Sequence, residues 1–173
     1  MAEINNRSRF HTRGASEVSV RVPLPDPLTE KASGSWIECV GIASDTYRVA
    51  FATCEREITA VYESFREHKD QARADLDVAA CKSRLVARCC TGWSEDLGEF
   101  THADVAAFFR EAPQIQHIVD QVISKRALFL LKEKGAYLKL EDGHVKCFLP
   151  SKEEEPTTTI SSPPSEPEQS PPS

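Results

Sequence analysis

Val18, Val20 and Val22 alternate with Glu17, Ser19 and Arg21. A period of two predicts a strand with one face on a core. The proline-bearing loop "PLPDPLTEKASGS" follows, and "WIECVG" at 36–41 then predicts a second strand. Two antiparallel strands alone are marginally stable, so the pair needs a partner layer. Helical periodicity supplies it. Ser44 and Asp45 are N-terminal caps, and Tyr47, Phe51, Cys54, Ile58, Val61, Tyr62 and Phe65 recur at three- and four-residue steps,. The polar run 66–75 predicts a break. A second helix over roughly 75–91 carries Val78, Cys81, Leu85 and Cys89 on one stripe, with Val86 and Cys90 beside it. After a turn around Gly98, Thr101 and Asp104 form a capping pattern ahead of Val105, Phe108 and Phe109,. Pro113 ends that short helix and opens a fourth, which runs through Ile115, Ile118, Val119, Val122 and Ile123 to Leu128–Leu131, with Gly135 as its stop,. Asp142-Gly143 between Tyr137–Leu140 and Val145–Leu149 is a hairpin signal,; an irregular or helix-extended conformation is the alternative there. The expected fold class is α+β, mainly α: four helices, an N-terminal two-stranded antiparallel unit and a C-terminal hairpin.

Composition sets the limits of this domain. From residue 151 onward the chain holds six of its eleven prolines and a single aliphatic residue, Ile160. Five glutamates and one lysine give that stretch −4 of the net −6. Such a segment cannot bury enough apolar surface to offset roughly 1–2 kcal/mol of backbone entropy per ordered residue. We expect a flexible arm over 1–16, one domain over 17–149 and a disordered acidic tail over 150–173. No apolar stretch resembles a signal core or a membrane span, which leads to the expectation of a cytosolic protein with no membrane partner. Its six cysteines are then thiols,. Lysines and arginines are interleaved with acids, and this argues against a nucleic-acid partner.

Reactive chemistry is hard to assemble from these residues. Adjacent Cys89 and Cys90 strain any bridge between themselves, and the chain lacks the short paired spacings of a zinc site. A metal site from Cys81, Cys89, His102 and Cys147, or a triad from Cys90, His102 and Asp104, can be drawn. Cysteine as a small buried hydrophobe on a helix stripe is the simpler reading. There is no P-loop, GxSxG elbow or HExxH. The carboxylates Glu95, Asp96 and Glu99 lack the alternating order of a calcium loop. No enzyme activity, metal or cofactor is expected.

Three segments resemble the tail assembly chaperones of long-tailed bacteriophages and prophages. "EVSVRVPLPDP" looks like the opening strand of that family. "SGSWIECVGIASDTYRVA" is similar to its tryptophan-bearing second strand, whose Gly/Ser/Asp turn enters the first helix. "CCTGWSEDLGEFTHADVAAFFREAPQIQHIVDQVISKRALFL" is similar to its Trp-Ser turn, acidic-Phe-Ser/Thr cap, short helix, proline and long last helix. The resemblance spans about 17–131; "YLKLEDGHVKCFLP" has no counterpart, and Cys89-Cys90 stand where small aliphatic residues are usual. It implies a non-enzymatic protein of the host bacterial cytoplasm, absent from the mature virion. The implied partners are the tape measure protein, the major tail tube protein and a frameshifted longer form of the chain itself, with self-association of the short form. Two other readings stay open: a small head–tail connector of the virion, and a non-phage helical regulatory domain that binds one protein. For any of these the candidate partner surface is Lys82, Arg84 and Arg88 on the polar side of the second helix, with Trp93, Phe108 and Phe109 just beyond it. Trp36 on the strands is a further anchor. Limited proteolysis should remove the tail and leave a stable fragment of about 130–150 residues; equal resistance of tail and core to the protease would refute the assignment.

Overall fold

A computed structural model describes residues 13–132, 134–141 and 143–150. The expected arm up to residue 12, Asp142 of the hairpin and the tail from 151 lie outside the described residues. The fold is α+β, with an N-terminal antiparallel sheet, helices packed on it and a C-terminal hairpin, as the periodicities imply.

In chain order the elements are α1 (Arg13–Glu17), β1 (Val20–Pro25), β2 (Ala32–Cys39), α2 (Asp45–His68), α3 (Gln71–Arg88), β3 (Cys90–Trp93), α4 (His102–Glu111), α5 (Pro113–Ser124), α6 (Arg126–Lys132), β4 (Tyr137–Glu141) and β5 (His144–Phe148). Strand β2 lies between β1 and β3, antiparallel to both, with Val22 opposite Ile37 and Ile37 opposite Trp93. The inward side chains Val20, Val22, Leu24, Ile37 and Cys39 meet Val86, Val105, Phe109, Val119, Ile123 and Phe129 in one core. The hairpin β4–β5 pairs Glu141 with His144 and lies beside β1, where Leu138 and Val145 pack against the core edge.

The capping residues act where expected. The Ser44 hydroxyl accepts the Tyr47 amide at 3.0 Å, and the Thr101 hydroxyl accepts that of Asp104 at 3.0 Å. Each takes up a donor that the first helical turn leaves unpaired. The break in 66–75 is Lys69, left-handed at φ 54°, followed by Asp70 as the cap of α3. Beyond Cys54 helix α2 has no fully buried residue, so α2 and α3 form an arm whose outer half is thinly covered.

Several details differ from the sequence expectation. Residues 13–16, assigned to the arm, belong to α1, where Ala15 and Ser16 are buried. Val18 is exposed, and β1 begins only at Val20. Helix α3 spans 71–88 instead of 75–91, and Cys90 opens a third strand. Four residues are too few to display a period of two, and β3 exists because β2 offers it an edge. The fourth helix divides at Lys125, whose backbone (φ −85°, ψ 81°) turns the chain so that Phe129 of α6 enters the core. Phe51, placed on the α2 stripe, stacks on Tyr47 at 5.9 Å but remains largely exposed.

Gly41, two residues past the end of β2, packs against that same Phe129. A Cβ there would meet three ring carbons at 2.8–3.0 Å, and the ring is fully buried. Gly41→Ala should therefore cost about 1–3 kcal/mol through overpacking, measured by urea denaturation. An unchanged midpoint would show that α6 yields.

Candidate functional site: the groove between α3 and α4

Helices α3 and α4 each present a row of residues at four-residue steps, Ala80-Arg84-Arg88 on one and His102-Ala106-Arg110 on the other. Side chains four apart lie on one helix face. The two rows, with Ala103, enclose a cleft of about 350 Å³. Small side chains at positions 80 and 106 leave room between the helices. A second cleft of about 440 Å³ adjoins it, sharing Ala80 and Arg110 and lined further by Leu76, Ala79, Lys82, Pro113 and the ring of Phe109. Together they form a groove with a cationic end and a more apolar end. Leu76, 69 % exposed, borders the latter.

Helix α2 sets the charges of this groove from behind. Glu57 Oε2 accepts from Arg84 Nε at 3.0 Å, with Arg84 Nη2 2.8 Å away, and Oε1 accepts from Arg88 Nη2 at 2.9 Å. Burial would raise the Glu57 carboxyl, but hydrogen bonds from Arg88 and Arg84 outweigh it and hold the group below its ordinary value. The second terminal nitrogen of Arg88, Nη1, is buried without a hydrogen-bond partner. A desolvated donor with no acceptor costs about 1–3 kcal/mol. His102 Nε2 lies 3.1 Å from the Cys90 carbonyl. A carbonyl only accepts, so this nitrogen carries the hydrogen.

The residues singled out from the sequence separate into three places. Lys82, Arg84 and Arg88 all border the groove, but Arg84 and Arg88 are ion-paired to Glu57 where the polar face of α3 had suggested solvated charges. Phe109 borders the second cleft but is fully buried. Trp93 is also part of the core, its indole N–H donating to the Gly98 carbonyl at 2.9 Å. Both therefore seat α4 and leave any contact surface to others. Phe108 is the more exposed ring of the pair, packed edge-on to Trp93 at 6.1 Å. Two residues past Ala106, or about 200° around the helix, it lies on the flank of α4 away from the groove. Trp36 is elsewhere, on the sheet face opposite Ile37. There the Arg21 guanidinium sits 3.8 Å above its ring, and Pro23, Tyr137 and Leu138 line the same recess.

Arg110, His102 as a groove residue, Glu57 and Leu76 were not recognised from sequence. The i, i+4, i+8 rows on α3 and α4 are the signal that marks the first two. The pairing with Glu57 depends on how α2 crosses α3, and no spacing reports it.

The thiols take no part in this groove's chemistry. Burial pushes Cys89 up to about 12 and raises Cys90 well above its usual range, the wrong direction for a nucleophile,. The thiol of Cys90 donates to the Val86 carbonyl, while Asp104 is bonded to Thr101, so the Cys90-His102-Asp104 triad is not assembled. Cys147 lies exposed on the hairpin whereas Cys81 and Cys89 are buried in the helical layer. Among the described residues no three His, Cys, Asp or Glu side chains converge in a way that would hold a metal ion. Nor, among them, is any helix long and apolar enough to cross a membrane.

Compared with known proteins, the chain matches no family model, no curated protein and no solved structure.

Glu57→Gln should destabilise the protein by about 1–2 kcal/mol at neutral pH, the low end for charged hydrogen bonds because Arg84 is partly solvated. The folded-state carboxyl sits below its unfolded value, so this contribution is complete above that unfolded value. It disappears as pH falls through the folded one,. Urea titrations of both proteins should therefore differ at pH 7 and converge in strong acid; a constant gap would place the cost in packing.

Proposed function

We propose that the protein is a non-enzymatic tail assembly chaperone of a long-tailed phage or prophage, acting in the host bacterial cytoplasm. In this reading the α3–α4 groove binds helical segments of the tape measure protein and keeps them soluble until tail tube subunits replace the chaperone. The observation that carries the proposal is the groove itself, apolar around Leu76, Ala79 and Pro113 and cationic along Arg84, Arg88 and Arg110. An amphipathic helix laid there would bury its apolar face at one end and orient by charge at the other. The resemblance in the Trp-Ser turn, the capped short helix and the proline-led last helix supports the same reading, since those elements build α4 and α5. Each contact of this size is weak, and many copies along one tape measure supply the avidity. Self-association and a frameshifted longer form belong to the proposal as ways of placing those copies. Absence from the finished virion separates it from a head–tail connector.

Co-expression gives the test. The wild-type chain should keep the tape measure protein of the same genome in the soluble fraction and co-purify with it. Leu76→Asp should weaken capture about tenfold, equivalent to about 1.4 kcal/mol, at an unchanged melting temperature. Retention of the chain in purified virions, or a tape measure equally soluble without it, would sink the proposal.

A further inference from the structure

The cleft at the cationic end brings together more positive charge than the fold neutralises. Arg84, Arg88 and Arg110 line it with His102, and no carboxylate is among its lining residues. Glu57 alone answers two of the three guanidiniums, one oxygen to each. Among the described residues Arg110 makes no ion pair, and Arg88 keeps a buried Nη1 without an acceptor. Three guanidiniums around one space repel unless an anion joins them, and their planar donor forks match the two oxygens of a carboxylate or phosphate. Alanines at 80, 103 and 106 leave about 350 Å³ open between the rows, ample for such a group.

We propose that this cleft is an oxyanion site that takes a carboxylate or a phosphate group, with Arg110 as its principal donor and the Arg88 guanidinium adding positive charge beside it. Arg84 sets the local field and His102 bounds the far end. The site stands whether or not the protein that uses the groove is a tape measure, because it rests on the charges and the space alone.

The experiment titrates the full chain with sodium phosphate and, separately, sodium glutarate at constant ionic strength, following arginine Nε–H signals by NMR. Saturable shifts confined to Arg84, Arg88 and Arg110, with Arg73 on the outer arm unmoved, are expected. Arg110→Gln should weaken binding about tenfold, the loss of one charge-assisted contact. Ala103→Glu, at an exposed position on the rim, should abolish it by placing a carboxylate of the protein's own at the cleft. That second variant decides the matter if the first does not fold. Saturation by glutarate alone assigns the site to an acidic side chain of a partner, by phosphate alone to a phosphorylated one, and by both to oxyanions in general; each supports the proposal. Linear shifts, equal responses at Arg73, or undiminished binding by the folded variants would overturn it.

Discussion

Three consecutive backbone amides, those of Val40, Gly41 and Ile42, donate to three separate parts of the molecule. Val40 reaches the carbonyl of Cys89 at the end of α3, Gly41 that of Ser16 in α1, and Ile42 that of Ile123 in α5. A buried amide that lacks an acceptor is costly, so this one turn fixes where three helices begin or end against the sheet. Gly41 adds a steric condition. Its missing Cβ lets the Phe129 ring close the core at the same point. The chain can satisfy these demands only if β2 terminates beside the junction of α3 with β3, and that placement delivers α4 alongside α3.

The groove follows from this arrangement. Helix α4 is seated by Val105 and Phe109 in the core and by the aromatic group of Trp93, Phe100 and Phe108 on its outer flank. With those contacts set, the face bearing His102, Ala106 and Arg110 has one neighbour available, the Ala80-Arg84-Arg88 row. Ser83, one position back from Arg84, donates to Gln116 of α5 at 2.8 Å and holds the apolar end in register. Aromatic residues in this region therefore shape the surface by holding the backbone, while short and cationic side chains form the surface itself.

What could be read from the sequence divides along the same line. Two caps were legible because Ser44 and Thr101 accept amides within their own first turn. Pro113 was legible because a helix tolerates its missing N–H only at the start,. The break in 66–75 was legible too, but not Asp70 as the cap that follows it. The two N-terminal strands were legible through Val20, Val22 and Ile37, whose periodicity registers burial on one face. Strand β3 and helix α1 were not. Each is a few residues long and owes its conformation to partners far along the chain: Cys90 pairs with Cys39, and Ser16 receives Gly41. Arg84 and Arg88 could be singled out as a cationic pair, but not as a bridge to Glu57, some thirty residues earlier on another helix.

That bridge bears on how the groove works as a surface. Long cationic side chains lose considerable rotamer freedom when they bind, and flexible ones contribute correspondingly little. Glu57 on α2 already restricts Arg84 and Arg88 in the free protein. Part of the entropic cost of ordering them is thus borne by folding. Lys82 and Arg110 are exposed and lie outside that bridge. A partner approaching the groove would meet the exposed charges of Lys82 and Arg110 first and the Glu57-held pair after them,.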